Sequence, residues 1–229
     1  MRRCWRMPNP IEAAWAYQAA TAKVQQSLFV AVRRLWKSLP ADPYAARDAL
    51  IDRGTVLAER YGQAVVGGAS EFFEAATGLR ATPVDVSLSE QVEGSARWSA
   101  GDLFEGNPQA AQKKFTGAMQ RHALQPGRDT VFESANKRGV LFARIPQGDA
   151  CSWCLMLASR GFAYTSARHA GEGNQWHDFC SCLIAPSTAK DLPAEYDPEK
   201  LYELYRDVHE GGDTGSDVAR KMREFYGFS

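Results

Sequence analysis

The chain has 229 residues, 45% of them apolar and 24% charged, enough to bury a sizeable core in one large or two small domains. Its 27 basic and 27 acidic side chains cancel, which excludes a global field drawing it to nucleic acid or an anionic membrane, so any DNA contact must be local. The longest uncharged apolar stretches, such as residues 64–69, are far too short to cross a bilayer. At the start, Arg2, Arg3 and Arg6 surround Cys4 and Trp5, but Pro8, Asn9 and Pro10 stand where the apolar core of a secretory signal would be. A frayed basic segment is expected there, and no signal.

Over residues 11–37 the apolar residues Trp15, Ala19, Ala22, Phe29, Val32 and Trp36 recur at helical spacing, and Pro40 ends the pattern. Asp42 as N-cap and Pro43 just inside it predict a second helix through Leu50, Leu57, Tyr61, Val65 and Phe72, with Gly78 as its stop. After Pro83, either Ser87 or Ser89 is placed to cap a helix carrying Val92, Ala96 and Leu103. Asn107 and Pro108 then open a helix with Ala111, Phe115, Ala118, Met119 and His122, which Pro126 and Gly127 are expected to close. A separate short helix is expected over residues 128–138, with Lys137 and Arg138 at its negative end and Gly139 as its stop.

Beyond Gly139 the pattern changes. Val140, Phe142 and Ile145 predict a half-buried strand, residues 151–159 a short helix, and residues 162–165 and 182–184 two more strands. Pro198 opens a helix with Leu201, Leu204, Tyr205 and Val208, Gly211 and Gly212 break it, and a last helix is expected over residues 215–226. The predicted fold is therefore α+β and mostly α: a helical region over residues 1–127, a small Cys/His-rich α+β module over 128–187, and a helical extension over 188–229.

Four of the five cysteines fall in the module, as C-x-x-C at Cys151 and Cys154, then H-x-x-C-x-C at His177, Cys180 and Cys182. A C-x-x-C turn converges two thiolates on one ion, and a second turn can complete a tetrahedron, so these five residues are the candidate ligands of a structural zinc ion. Five candidates compete for four positions, and on a strand Cys180 and Cys182 would face the same way. Disulfides in an assembled particle and reduced buried thiols remain alternatives. A zinc deaminase would need H-x-E before its cysteines, and none exists here. A thiol oxidoreductase lacks the surrounding alternation of strands and helices. A cysteine protease could pair Cys151 or Cys154 with His169 or His177, a matter of geometry. His122 and His209 read as helix-surface residues, His169 as a loop residue, and no residue is assigned a catalytic role. Lys113 with Lys114, and Lys137 with Arg138, offer small basic clusters that read as solvated surface.

The stretches GRDTVFESANKRG, FARIPQGDACSWCLMLASRGFAYTS and NQWHDFCSCLIAP, over about residues 127–186, resemble the core of MuF-like minor capsid proteins of actinobacteriophages. The resemblance implies a head-morphogenesis protein in the capsid interior of the virion and in host cytoplasm during assembly, and no membrane partner is expected. Its implied partners are the portal, scaffolding and major capsid proteins, with contact to packaged DNA during ejection. It places the family's motif on Cys151, Cys154, His177, Cys180 and Cys182, flanked by Arg144 and Asp149. Many relatives end in Cys-Arg-Cys, where this chain has Cys180, Ser181 and Cys182. The resemblance also carries an alternative, a capsid maturation protease or other enzyme using a Cys/His pair.

Overall fold

Asp42 and Gly78 bracket the longest helix. In the computed structural model, which describes residues 10–147, 150–163, 176–186 and 196–228, α1 spans Pro10–Lys37 and α2 spans Pro43–Thr77. The Asp42 carboxylate accepts the Ala45 N–H at 2.8 Å, and Gly78, at φ 70°, donates its N–H to the Glu74 carbonyl at 2.9 Å. Both ends thus satisfy backbone groups that a helix leaves orphaned. The buried face of α1 is Ala13, Tyr17, Thr21, Leu28, Val32 and Leu35. Of the expected stripe Val32 is buried there, while Ala19 and Ala22 are exposed. An alanine-rich helix offers several apolar phases, and the core selects the one carrying the larger Tyr17 and Leu28.

Helix α3 spans Ser89–Phe104, and neither Ser87 nor Ser89 caps it. Leu88 occupies the cap position without a side-chain bond; its N–H donates to the Glu59 carboxylate of α2 at 3.2 Å and its side chain is buried. Tertiary packing starts this helix in place of a local cap.

Helix α4 spans Pro108–Arg138 without interruption, capped by Asn107 and ended by Gly139 at φ 65°. This corrects the expected stop at Pro126 and Gly127, and α4 runs across residue 127 into the Cys/His-rich part of the chain. A proline inside a helix costs about 3 kcal/mol, so something must offset it here. Pro126 is buried against Gly62, where an added Cβ would lie 3.4 Å from the ring. Gly127 presses on α2 so closely that a Cβ there would lie 2.2 Å from Val65 Cγ1 and 3.2 Å from the Val65 carbonyl oxygen. Gly127 is therefore a close-approach residue, and the contact it permits holds the helix through the proline.

Two strands complete the frame, β1 over Phe142–Ile145 and β2 over Leu183–Pro186, antiparallel with Arg144 opposite Ile184. All four residues of β1 are buried, where a half-buried strand was expected. The ribbon is covered on more than one side, since α2 and α4 contact β2 while α5, over Ser152–Ala158, contacts β1. Phe162 and Ala163 are not in a strand. Helices α6 (Pro198–Val208) and α7 (Gly215–Tyr226) pack with α5 around Met156, Leu157, Val208, Val218 and Met222. Among the described residues the result is a mostly α structure with one small sheet.

The helices share two larger cores. Leu28, Leu50, Val92, Phe115 and Met119 fill the one formed by α1 to α4. The other joins Tyr17, Phe72 and Phe73 to Val131, Phe132, Phe142, Trp176 and the cysteines. His122 is buried, not on the surface, and pairs with the Ser95 hydroxyl at 2.8 Å. His209 is exposed at the end of α6 and stacks on Tyr205. Cys4 and the basic start, the Trp15 side chain, Asp149, His169 and the second half of the expected strand at 162–165 lie outside the described residues. Among the described residues no helix is long and apolar enough to cross a membrane.

Candidate metal centre

Two parts of the chain deliver the five candidate ligands. Cys151 is the N-cap residue of α5, in extended conformation, and Cys154 sits in the first turn of that helix, fully buried. His177, Cys180 and Cys182 come from the segment that leads into β2. That segment turns tightly, with the Cys180 N–H donating to the His177 carbonyl at 3.1 Å. Phe179, within the turn, adopts φ 66°, the left-handed region that a bulky residue occupies at a cost.

One face of α4 holds the turn in that conformation. At Gly117 an added Cβ would lie 2.7 Å from Asp178 Cβ and 2.8 Å from the Phe179 ring, so only glycine admits the loop. Four residues on, Arg121 donates to the Asp178 carboxylate at 2.9 Å. Seven further on, Arg128 donates to the carbonyls of Cys180 and Cys182 at 2.8 and 3.2 Å. Offsets of four and eleven residues return to the same side of a helix, so Gly117, Arg121 and Arg128 form a single docking stripe. The strain at Phe179 is held by these contacts.

The ligand atoms form two triads that share Cys154: Cys151, Cys154 and His177 in one, Cys154, Cys180 and Cys182 in the other, with all atoms of each triad within 4.8 Å of one another. Cys154 and Cys180 place their sulfurs 3.6 Å apart. Zinc–sulfur bonds of about 2.3 Å set tetrahedral sulfur–sulfur edges of about 3.8 Å, so this pair already has the spacing of two ligands on one ion. His177 Nε2 lies 2.8 Å from Cys151 Sγ, a hydrogen-bonding distance, and its Nδ1 faces the Asp178 carbonyl at 2.7 Å. The second contact fixes the ring so that Nε2 points to sulfur. The donor set, four thiols and one imidazole, fits a borderline-soft ion such as zinc.

Thiols this close divide protons unevenly. Hydrogen bonds from Cys154 hold Cys151 down at about 4 against the effect of burial, with His177 adding to the effect. His177 in turn is pushed up to about 9 by the bond to Cys151. Cys180 is lowered by its contacts with Cys154 and Cys182, while the contacts of Cys154 with Cys151, Cys180 and Cys182 push it far up. For Cys182 the bond with Cys154 pulls downward, but Cys180 and burial outweigh it. A cation entering the cluster would replace the protons that the thiols share.

Arg144, flanking the motif on β1, is fully buried and donates to Cys154 Sγ at 3.3 Å. The guanidinium carbons of Arg128 and Arg144 lie 3.7 and 3.8 Å from the centroid of the Trp176 ring. Two groups this near one centroid cannot share a face, so the indole is sandwiched between them. Sequence reasoning missed Gly117, Arg121 and Arg128. Their offsets on one helix were a signal, but the expected break at Pro126 divided the stripe between two helices. The small basic clusters lie elsewhere, and Lys114 there pairs with Asp102 at 2.8 Å.

The profile of the VG15 protein family matches residues 10–208, most of the chain and all of the cluster. The Gene 15 protein of Mycobacterium phage D29 is 28% identical, in a match covering 44% of this chain and 50% of the relative. The Gene 15 protein of Mycobacterium phage L5 is 26% identical, in a match covering 74% of this chain and 76% of that relative. The chain thus spans about half the length of the first of these relatives. No solved structure matches it.

Proposed function

Because the chain belongs to the VG15 protein family, with relatives encoded by bacteriophages, we propose that it is a structural component of the phage head, similar to the MuF-like minor capsid proteins. In this reading it lies in the capsid interior near the portal, contacts portal, scaffolding and major capsid proteins, and meets packaged DNA during ejection. The observation that carries the structural reading is the gathering of four thiols and an imidazole where β1, α5 and β2 meet. Two four-residue strands and a seven-residue helix have little core of their own, and an ion held among Cys151, Cys154, His177, Cys180 and Cys182 would link α5 to the segment that leads into β2. Zinc is the proposed ion.

Metal analysis of the purified, reduced protein, paired with melting in chelator, tests the site. One zinc per chain and a melt that chelator lowers support it; neither would refute it. Quantitative mass spectrometry of purified virions against infected lysate tests the location. Enrichment with DNA-filled and emptied heads at a few copies is expected, and absence from heads would remove the assembly role.

A second reading, an enzyme using a Cys/His pair such as a maturation protease, draws on the Cys151–His177 contact at 2.8 Å. It leaves the triad of Cys154, Cys180 and Cys182 without a task. Cys151→Ala separates the two: loss of processing of head proteins with metal retained favours the enzyme, whereas loss of metal with unchanged processing favours the structural centre.

A further inference from the structure

Arg128 is 2% exposed, and its partners are neutral carbonyls. Among the described residues no carboxylate pairs with it, and its Nη1 has no hydrogen-bond partner. A buried guanidinium without a counter-charge is strongly unfavourable. The groups facing it that can carry negative charge are Cys180, Cys182 and Tyr17, and burial pushes the Tyr17 hydroxyl up to about 12, which leaves the two thiols. Arg144, also buried, donates to the sulfur of Cys154. Two cations are thus enclosed beside one thiol triad, held apart by the Trp176 ring.

The Arg128 fork also has a geometric effect. Its Nε and Nη2 bind the carbonyls of residues two apart, 182 and 180. A planar fork spanning the two carbonyls fixes the backbone between residues 180 and 182, and with it how the two thiols are presented.

Resting on the metal-centre reading above, we propose that Arg128 is a positioning residue that makes both Cys180 and Cys182 ligands of the same ion as Cys154. The centre then has at least three thiolates, with its fourth place left to Cys151 or His177. Three thiolates on a divalent ion leave a net negative charge, and the enclosed guanidinium offsets it. This resolves the surplus of candidates in favour of the C-x-C pair acting together, with Arg128 selecting a sulfur-rich set over one with two sulfurs.

Cobalt binding to the full chain tests this, because cobalt reports coordination by visible bands and sulfur ligation by charge-transfer intensity. Wild type, Arg128→Lys, Arg128→Met and Cys182→Ser are titrated with Co2+ and then with Zn2+ against a chelator. The expected result is a roughly 10- to 100-fold loss of affinity in both Arg128 variants, with reduced charge-transfer intensity. Cys182→Ser should lower that intensity by one sulfur's share. Should Arg128→Met fail to fold, Arg128→Lys, which keeps charge and stem but not the fork, decides the matter. Wild-type affinity and spectrum in Arg128→Lys, or an unchanged spectrum in Cys182→Ser, would overturn the assignment while leaving the metal centre standing. A wild-type chain that binds neither ion would end both.

Discussion

The bundle of α1 to α4 and the cysteine-rich end of the molecule are held together by different physics. Around Phe115 the core is built of Leu28, Leu50, Val92 and Met119, side chains that gain by leaving water whichever apolar neighbour they meet. Around Trp176 the buried groups are two guanidiniums, an indole and three thiols, each costly to bury without the others. The first kind of core loses stability by increments when trimmed. The second should fail as a unit, because removing one member leaves its partners buried and unsatisfied.

The largest expected effect tests that contrast directly. Cys154→Ser removes the residue shared by both triads, and should cost about 5 kcal/mol while unfolding the module before the bundle. Hydrogen exchange would show protection lost over Phe142–Ile145 and Leu183–Pro186 but kept over Pro43–Thr77. Equal loss in both would mean that the two regions form one cooperative unit.

The bundle has its own polar exception in His122. Burial, aided by the neighbouring Arg121 charge, lowers it from 6.5 to about 4, so the folded protein resists protonating it while the unfolded chain takes up a proton below pH 6.5. Stability is full at neutral pH and falls by about 3 kcal/mol as pH drops from 6.5 to 4. Denaturant melts of wild type and His122→Gln across that window check this. The difference between them should show the slope, and parallel curves would remove His122 as its source.

A smaller effect is expected where the two regions share α4. Gly127→Ala gains about 1 kcal/mol of helix propensity, yet its Cβ would collide with Val65 at 2.2 Å. A net loss of about 2 kcal/mol should follow, partly recovered by adding Val65→Ala in a double-mutant cycle. Smallest of all, Asp42→Ala deletes the cap bond at 2.8 Å and should lower the melt by the equivalent of about 1 kcal/mol, without changing metal content.

What was legible in the sequence was what depends on neighbours in the chain. Asp42 with Pro43, Gly78, Asn107 with Pro108, and Gly139 mark helix ends because a cap bond, a fixed φ or a left-handed φ acts within one turn. The five candidate ligands were legible too, because their identity and spacing carry their chemistry, and the fold does bring them together.

Tertiary structure decided the rest. Helix α4 continues through Pro126 and Gly127 because Gly62 and Val65, some sixty residues earlier, press against them. The phase of α1, the start of α3 at Leu88 and the burial of every β1 residue were likewise set by partners far along the chain. The mark of Arg128, its helical offset from Gly117 and Arg121, could be read only if the helix ran unbroken through Pro126. Its role exists only where an unbroken helix carries its fork to the carbonyls of Cys180 and Cys182, and the free energy holding that helix unbroken comes from contacts that no local pattern encodes.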